Sequence, residues 1–155
     1  MTRPGQLKSR VRSDYPYRKE YRTRWNDNDT YDHVNNSIYA FLYDSIINTY
    51  LIEHCELNPP SPAQYALVVY SQVHYLGSFA FPAVADVGLR VKSLGQSSVI
   101  YELALFEQGI DQVKSVGEYV HVFVDRATGR PAARGMNATV RGGLQRIAVG
   151  PQAKL

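Results

Sequence analysis

Arg24-Trp25-Asn26-Asp27-Asn28-Asp29-Thr30-Tyr31-Asp32-His33-Val34-Asn35-Asn36-Ser37-Ile38-Tyr39 decides how the rest of the chain is read. Carboxylates, an imidazole and carboxamides crowd one turn, with a strand-like segment before it and an apolar helix pattern after it. Upstream, Glu20, Arg22 and Arg24 alternate with Tyr21, Thr23 and Trp25, which predicts a first strand over 18–25. Downstream, Tyr39, Leu42, Tyr43, Ile46, Ile47, Tyr50 and Leu51 recur at helical spacing, which predicts a helix from Ile38 to about His54. Ile38 and Phe41 widen its apolar stripe, so the helix is expected to be buried on most sides. Asn35, Asn36 and Ser37 are all good N-cap types. A carboxylate beside the free amides of a helix start pairs a base or nucleophile with a place for a developing oxyanion.

After the helix, Asn58-Pro59-Pro60-Ser61-Pro62 breaks the chain. Strand-like runs follow over 66–76, 87–94, 98–107 and 113–124. Their separators are Gly77 to Ala85, Gly95-Gln96 and Gly109-Ile110-Asp111, and Arg126-Ala127-Thr128-Gly129 closes the series. Residues 137–147 read as a short helix weakened by Gly142-Gly143. One strand, one helix and then four strands in a meander give an α+β class. Residues 1–17 read as a flexible N-terminal arm and 18–150 as a single domain.

The 155 residues suffice for one domain with a sizeable core, and 45% hydrophobic content marks a globular chain. A formal charge of +3 is mild. The basic residues gather only loosely, in the arm (Arg3, Lys8, Arg10, Arg12) and late in the chain (Arg126, Arg130, Arg134, Arg141, Arg146). That spread suits a phosphorylated small ligand such as coenzyme A, and no nucleic acid partner is expected. No apolar run approaches membrane-spanning length, so no membrane partner is expected either. Cys55 is alone, which excludes a disulfide framework and suggests a reducing, cytoplasmic setting. The basic, acid-free first thirteen residues leave a mitochondrial location as the alternative. Twelve tyrosines suit amphipathic strands, a ligand-lined surface or a subunit interface.

The pattern Trp25-x-Asp27-x-Asp29-x-x-x-His33-Val34-Asn35-Asn36-x-x-Tyr39, opening a long apolar helix, resembles the hotdog-fold acyl-CoA thioesterases, specifically the 4-hydroxybenzoyl-CoA thioesterase-like group. The likeness runs from about Tyr21 to about Arg130. It implies a hotdog fold, an antiparallel β-sheet wrapped around a long central helix. It also implies an acyl-CoA substrate and a homodimer or homotetramer with active sites at the subunit seam. In that group the second Asp of Asp-x-Asp is the catalytic carboxylate, a role that falls on Asp29, and a backbone amide at the helix start serves the oxyanion. Many members have Gly just before His-Val-Asn-Asn; here that residue is Asp32.

Read without the resemblance, the same residues carry several meanings. Asp27 and Asp29 point the same way in an extended segment. They could cap the turn and helix, bind a metal with Asp32 and His33, or catalyse. The calcium-loop pattern wants Gly and Glu where Asp32 and Ile38 stand, so no metal and no cofactor are expected. Asp27 reads as structural, bonding turn amides or a neighbouring Arg. His33, Asn35, Asn36 and Ser98 are the candidate substrate-binding groups; His33 could equally hold the loop shut, and the two Asn could simply cap the helix. Arg126 and Arg130 are candidates for coenzyme A phosphates, or ordinary solvated turn residues. His121 reads as a bonded sheet residue. The expected function is acyl-CoA thioesterase, with Asp29 as general base or nucleophile. The alternatives are a hotdog hydratase or dehydratase, whose His-Phe-Pro and Asp-x-Asn-Pro-x-x-His elements are absent, and a non-catalytic module that binds acyl thioesters.

Overall fold

A computed structural model describes residues 3–58 and 63–150. Its elements run α1 (Pro4–Leu7), β1 (Tyr17–Arg22), α2 (Asn36–Cys55), β2 (Gln64–Tyr75), β3 (Val84–Leu94), β4 (Ser98–Glu107), β5 (Val113–Asp125) and α3 (Ala138–Gln145). The five strands form one antiparallel sheet in the order β1-β3-β4-β5-β2, and α2 packs against it. This is the α+β hotdog arrangement expected from the sequence, but the expected four-strand meander is limited to β3, β4 and β5, because β2 lies at the edge beside β5. β1 pairs with β3 so that Tyr17 faces Leu89 and Arg22 faces Val84. The proline-rich break expected at 58–62 lies, beyond Asn58, outside the described residues.

The chain divides into two compact units. The first takes residues 1–46, 73–89 and 103–117. Its first half of α2 buries Tyr39, Tyr43 and Ile46. Tyr43 and Ser115 on β5, both fully buried, share a hydroxyl–hydroxyl bond of 2.8 Å that fixes the helix on the sheet. Successive strand residues point to opposite faces. Val116, next to Ser115, therefore lies on the far face, where Leu7, Tyr15, Ala104 and Phe106 join it in a second apolar cluster. The N-terminal segment, read as a flexible arm, thus brings two buried side chains to that face. Arg12 anchors it: Nε donates to Asp86 Oδ2 at 2.7 Å, Nη2 donates to the Glu107 carbonyl at 2.9 Å, and the guanidinium sits 4.8 Å from the centre of the Phe106 ring. Tyr15 lies so close over Gly88 that a Cβ there would stand 2.6 Å from the Tyr15 Cβ.

Two expectations change in this unit. The first strand ends at Arg22, not Trp25. The Thr23 hydroxyl donates to the Ala83 carbonyl, and Asp27 Oδ2 accepts the Arg24 amide at 2.7 Å, which curls Trp25–Asp27 into a tight turn. Trp25 is left 82% exposed, against Phe81 edge-on. The helix is also less enclosed than its wide stripe suggested, since Phe41 is 64% exposed. A single buried face of Tyr39, Tyr43 and Ile46 is enough to hold it.

The second unit takes residues 47–72, 90–102 and 118–155. Here Ile47, Tyr50, Leu51 and Cys55 complete the buried face of α2. The helix ends at Glu56, whose φ of 57° turns the chain out of the helix. Asn137 caps α3, its Oδ1 accepting the Val140 amide at 2.9 Å. The Gly142-Gly143 pair that weakens α3 has a use: a Cβ on Gly143 would stand 2.5 Å from Cys55 Sγ. Tyr50 donates its hydroxyl to the Gly143 carbonyl. On β4 and β5, Tyr101 and His121 are buried edge to face with centroids 5.3 Å apart. His121 departs from the bonded residue expected: Nδ1 has no partner among the described residues, and burial lowers the imidazole pKa to about 4. In mid-β2, Leu67, Val68, Val69 and Tyr70 are exposed, on a strand at the edge of the sheet.

Candidate active site

The polar turn is tied together from within. The Asp29 amide donates to the His33 carbonyl at 2.8 Å, and the Asp32 amide donates to the Asp29 carbonyl at 3.3 Å. Asn28 Oδ1 accepts the Phe81 amide at 3.0 Å, and the Val34 amide donates to the Phe79 carbonyl at 2.9 Å, so the loop of 77–83 holds the turn from outside. Asp32, where many hotdog thioesterases carry Gly, has a φ of 61°. The chain needs a left-handed residue there, and Asp tolerates that region better than most.

The two carboxylates of Asp-x-Asp have different fates. Asp27 is buried; Oδ1 pairs with Arg24 at 3.0 Å, Oδ2 accepts the Arg24 amide, and its carbonyl accepts the Asn35 amide at 2.8 Å. It holds turn and neighbouring Arg together, as its sequence context suggested. Asp29 Oδ1 accepts the Tyr31 amide at 2.8 Å and the His33 amide at 3.4 Å. Those bonds use one oxygen; Oδ2 has no protein partner among the described residues.

Asp29 opens onto a cleft of about 500 Å³ whose lining includes Tyr31, His33, Asn36, Tyr39, Tyr75 and Ser78. Asn35 caps α2, its Oδ1 accepting the Ser37 amide at 2.9 Å and the Ser37 hydroxyl at 2.7 Å. The amides of Asn35, Ser37 and Ile38 are therefore taken, by Asp27, Asn35 Oδ1 and the Asn35 carbonyl respectively. The Asn36 amide, first in the helix, has no partner among the described residues. A residue with a free carboxylate oxygen and a residue with a free helix-start amide thus line one cavity.

Of the candidate residues, Asp29, His33 and Asn36 come together at this cleft, while Asn35 stands behind it as a cap. Ser98 opens β4 in the second unit, its carbonyl accepting the Gly95 amide at 2.8 Å, and it is not among the cleft residues. Arg126 and Arg130 sit in the exposed turn after β5; Arg126 lies 4.9 Å over the Tyr65 ring, and the Arg130 amide donates to Thr128 Oγ1 at 3.2 Å. Among the described residues no group of three His, Cys, Asp or Glu side chains is arranged to hold a metal ion. Sequence reading missed Tyr31, Tyr39, Tyr75 and Ser78 as cleft residues. The richness in Tyr was the available signal, but nothing local tied those rings to Asp29.

Residues 23–136 match the family model described as the thioesterase-like superfamily. No curated protein matches the chain. Among solved structures, it is similar to the PA5185 protein of Pseudomonas aeruginosa strain PAO1 at 41% identity and a TM-score of 0.86, over 92% of this chain and 98% of that one. It is similar to the PA2801 protein of Pseudomonas aeruginosa at 26% identity and a TM-score of 0.73, over 83% and 97%. A thioesterase from Thermus thermophilus complexed with coenzyme A and zinc shares the fold at 23% identity and a TM-score of 0.69, over 86% and 95%.

Proposed function

We propose that this chain, which belongs to the thioesterase-like superfamily, cleaves acyl-CoA to a free acid and coenzyme A with Asp29 as its catalytic carboxylate. That it is a thioester hydrolase follows from the family. One observation carries the finer reading: Asp29, with its Oδ2 free, and Asn36, with its amide unpartnered, line the same cleft.

The chemistry then follows from the geometry. The amides of Tyr31 and His33 hold Oδ1, so Oδ2 is the oxygen turned to the reaction. As a general base, Oδ2 takes a proton from a water whose oxygen adds to the thioester carbon. As a nucleophile, Oδ2 adds to that carbon itself, coenzyme A thiolate leaves, and water opens the resulting anhydride. Either way the carbonyl oxygen gains charge in the transition state, and the Asn36 amide, backed by the α2 dipole, is the donor available to meet it. The thiolate leaves with a proton taken from solvent or from the carboxylic acid formed. His33, Asn36 and Ser78 are the polar groups that can orient the pantetheine arm. Arg126 and Arg130 remain candidates for the coenzyme A phosphates, and Ser98 for a contact to substrate.

The working form is a homodimer or homotetramer. β2 is a long edge strand whose middle exposes Leu67, Val68, Val69 and Tyr70, and such an edge is a template for pairing with another strand. A second copy of the same strand is the partner it fits best. Cys55, buried and single, suits a cytoplasmic location.

Thiol release measured over a panel of acyl-CoAs tests the reading. Asp29→Asn keeps an oxygen for the Tyr31 and His33 amides while removing both basicity and nucleophilicity. Turnover is expected to drop about 100-fold or more with unchanged thermal stability. Thiol release by Asp29→Asn at the wild-type rate would end the assignment.

A further inference from the structure

We infer that the Tyr39 hydroxyl is a specificity-determining donor that reads an uncharged oxygen on the acyl group, an inference that rests on the hydrolase reading of the Asp29 cleft. Three tyrosines of α2 point into the interior, and their hydroxyls are treated differently. Tyr43 bonds to Ser115 at 2.8 Å and Tyr50 donates to the Gly143 carbonyl. Both follow the rule that a buried phenol finds a partner. Tyr39, only 3% exposed, has no hydrogen-bond partner among the described residues, and it is the one of the three that lines the cleft.

Its ring is held as firmly as a packed core residue. It stands edge-on to Tyr75 with centroids 5.2 Å apart and interplanar angle 89°, and edge-on to Phe79 at 5.5 Å and 90°. A ring wedged in this way has little freedom to swing its hydroxyl toward a different partner. Burial, with Tyr75 adding to it, pushes the phenol up to about 12, so the group is a neutral donor at neutral pH. It sits in the first turn of α2, three residues after Asn36, which lines the same cavity. With a thioester carbonyl at Asn36, the acyl group is the part of the substrate we assign to this phenol.

The lining also says which oxygen. Among the cleft residues Asp29 is the only carboxylate, and neither Lys nor Arg is present. An acyl group ending in a second carboxylate would face Asp29 without a cation. An uncharged hydroxyl or keto oxygen accepts from Tyr39 without that repulsion. A plain alkyl or aryl acyl group leaves the donor dry and unpaired, the situation that lets a hydrogen-bonding site reject an analogue.

The test compares kcat/KM for CoA thioesters that differ by one oxygen: butanoyl against 3-hydroxybutanoyl, and phenylacetyl against 4-hydroxyphenylacetyl. Wild type is expected to favour the oxygenated member of at least one pair by about tenfold or more. In Tyr39→Phe that ratio should fall toward one, because the oxygenated member loses its bond and the plain member no longer strands a donor. A wild type that shows no preference in either pair overturns the inference, whether or not the variant folds. So does a Tyr39→Phe enzyme that keeps the ratio or loses both members equally, the mark of a purely structural ring. No thiol release from any of the four by wild type would overturn the hydrolase reading itself and the inference with it, a failure distinct from an unchanged ratio.

Discussion

Asp32 offers a sharp test of the turn, because its φ of 61° is a backbone requirement that different side chains meet at different cost. Holding an L residue in the left-handed region costs about 1–2 kcal/mol, less for Asp and Asn, whose short polar side chains bond locally, and nothing for Gly. Gly in turn loses about 0.4–1 kcal/mol through the greater freedom of the unfolded chain. Asp32→Ala meets the full backbone cost; Asp32→Gly meets only the unfolded-state one. Neither variant keeps the carboxylate, so the loss of charge beside Asp29 cancels in the comparison, and Asp32 is exposed, so packing contributes nothing. The Gly variant should therefore be more stable than the Ala variant by about 1 kcal/mol, close to 3 °C in Tm for a chain of this size. Asp32→Val, β-branched, should fall below Ala, and Asp32→Asn should stay near wild type. Urea unfolding of the four variants at one pH, with parallel slopes, gives the order directly. Equal stability of Gly and Ala would refute the left-handed turn, and with it the way Asp29 is presented to the cleft.

The other predictions come from different parts of the molecule. His121 is neutral in the fold with a pKa of about 4 and would titrate near 6.5 when unfolded. Between those values the unfolded chain binds more protons, so stability is full above about 6.5 and falls by up to about 1.4 kcal/mol per pH unit on acidification toward 4. His121→Gln should flatten that part of an unfolding-versus-pH profile, and an unaltered slope would show another group responsible. Asn137→Ala removes the cap of α3 and should lower the unfolding free energy by about 1 kcal/mol in urea titration. Val69→Lys, placed in the exposed middle of β2, should shift sedimentation from dimer or tetramer toward monomer, and a wild type already monomeric at micromolar concentration would remove the edge-pairing argument. Activity should survive exhaustive chelation; loss restored by one divalent ion would bring Asp27, Asp29, Asp32 and His33 back as metal ligands.

The elements were legible because their periodicities are strong. Helical spacing from Tyr39 to Leu51 and the regular strand runs gave α2 and β2–β5 to within three residues at each end. The errors occur where side chains bond backbone. Trp25 continued an alternation, yet Asp27 captured the Arg24 amide and curled the strand end away. The arm looked structureless because its apolar residues, Leu7 and Tyr15, are too far apart to show a period; what holds them is Arg12 on Asp86 and a distant Phe106. Asp29 was legible as a cleft residue because its candidacy is local to one motif. The tyrosine wall was not, since Tyr75 and Ser78 come from the end of β2 and the loop beyond, and only the fold brings them to Tyr39.

The stacking of Tyr15 over Gly88 has an implication for how such chains can diverge. Position 88 has no room for even a methyl group while Tyr15 lies on it, because the Cβ would fall 2.6 Å from the Tyr15 Cβ and 2.7 Å from the first ring carbon. The glycine therefore answers to the N-terminal segment that lies on it. In a lineage that shed its first residues, the constraint would lapse, and position 88 would be free to drift to the β-branched side chains that strands favour. The reverse journey is barred in that order: a chain that has already filled position 88 cannot regain this lid by adding residues at its start until the side chain is lost again. Positions 15 and 88 are thus coupled by steric volume, and a change at one alters what the other can hold.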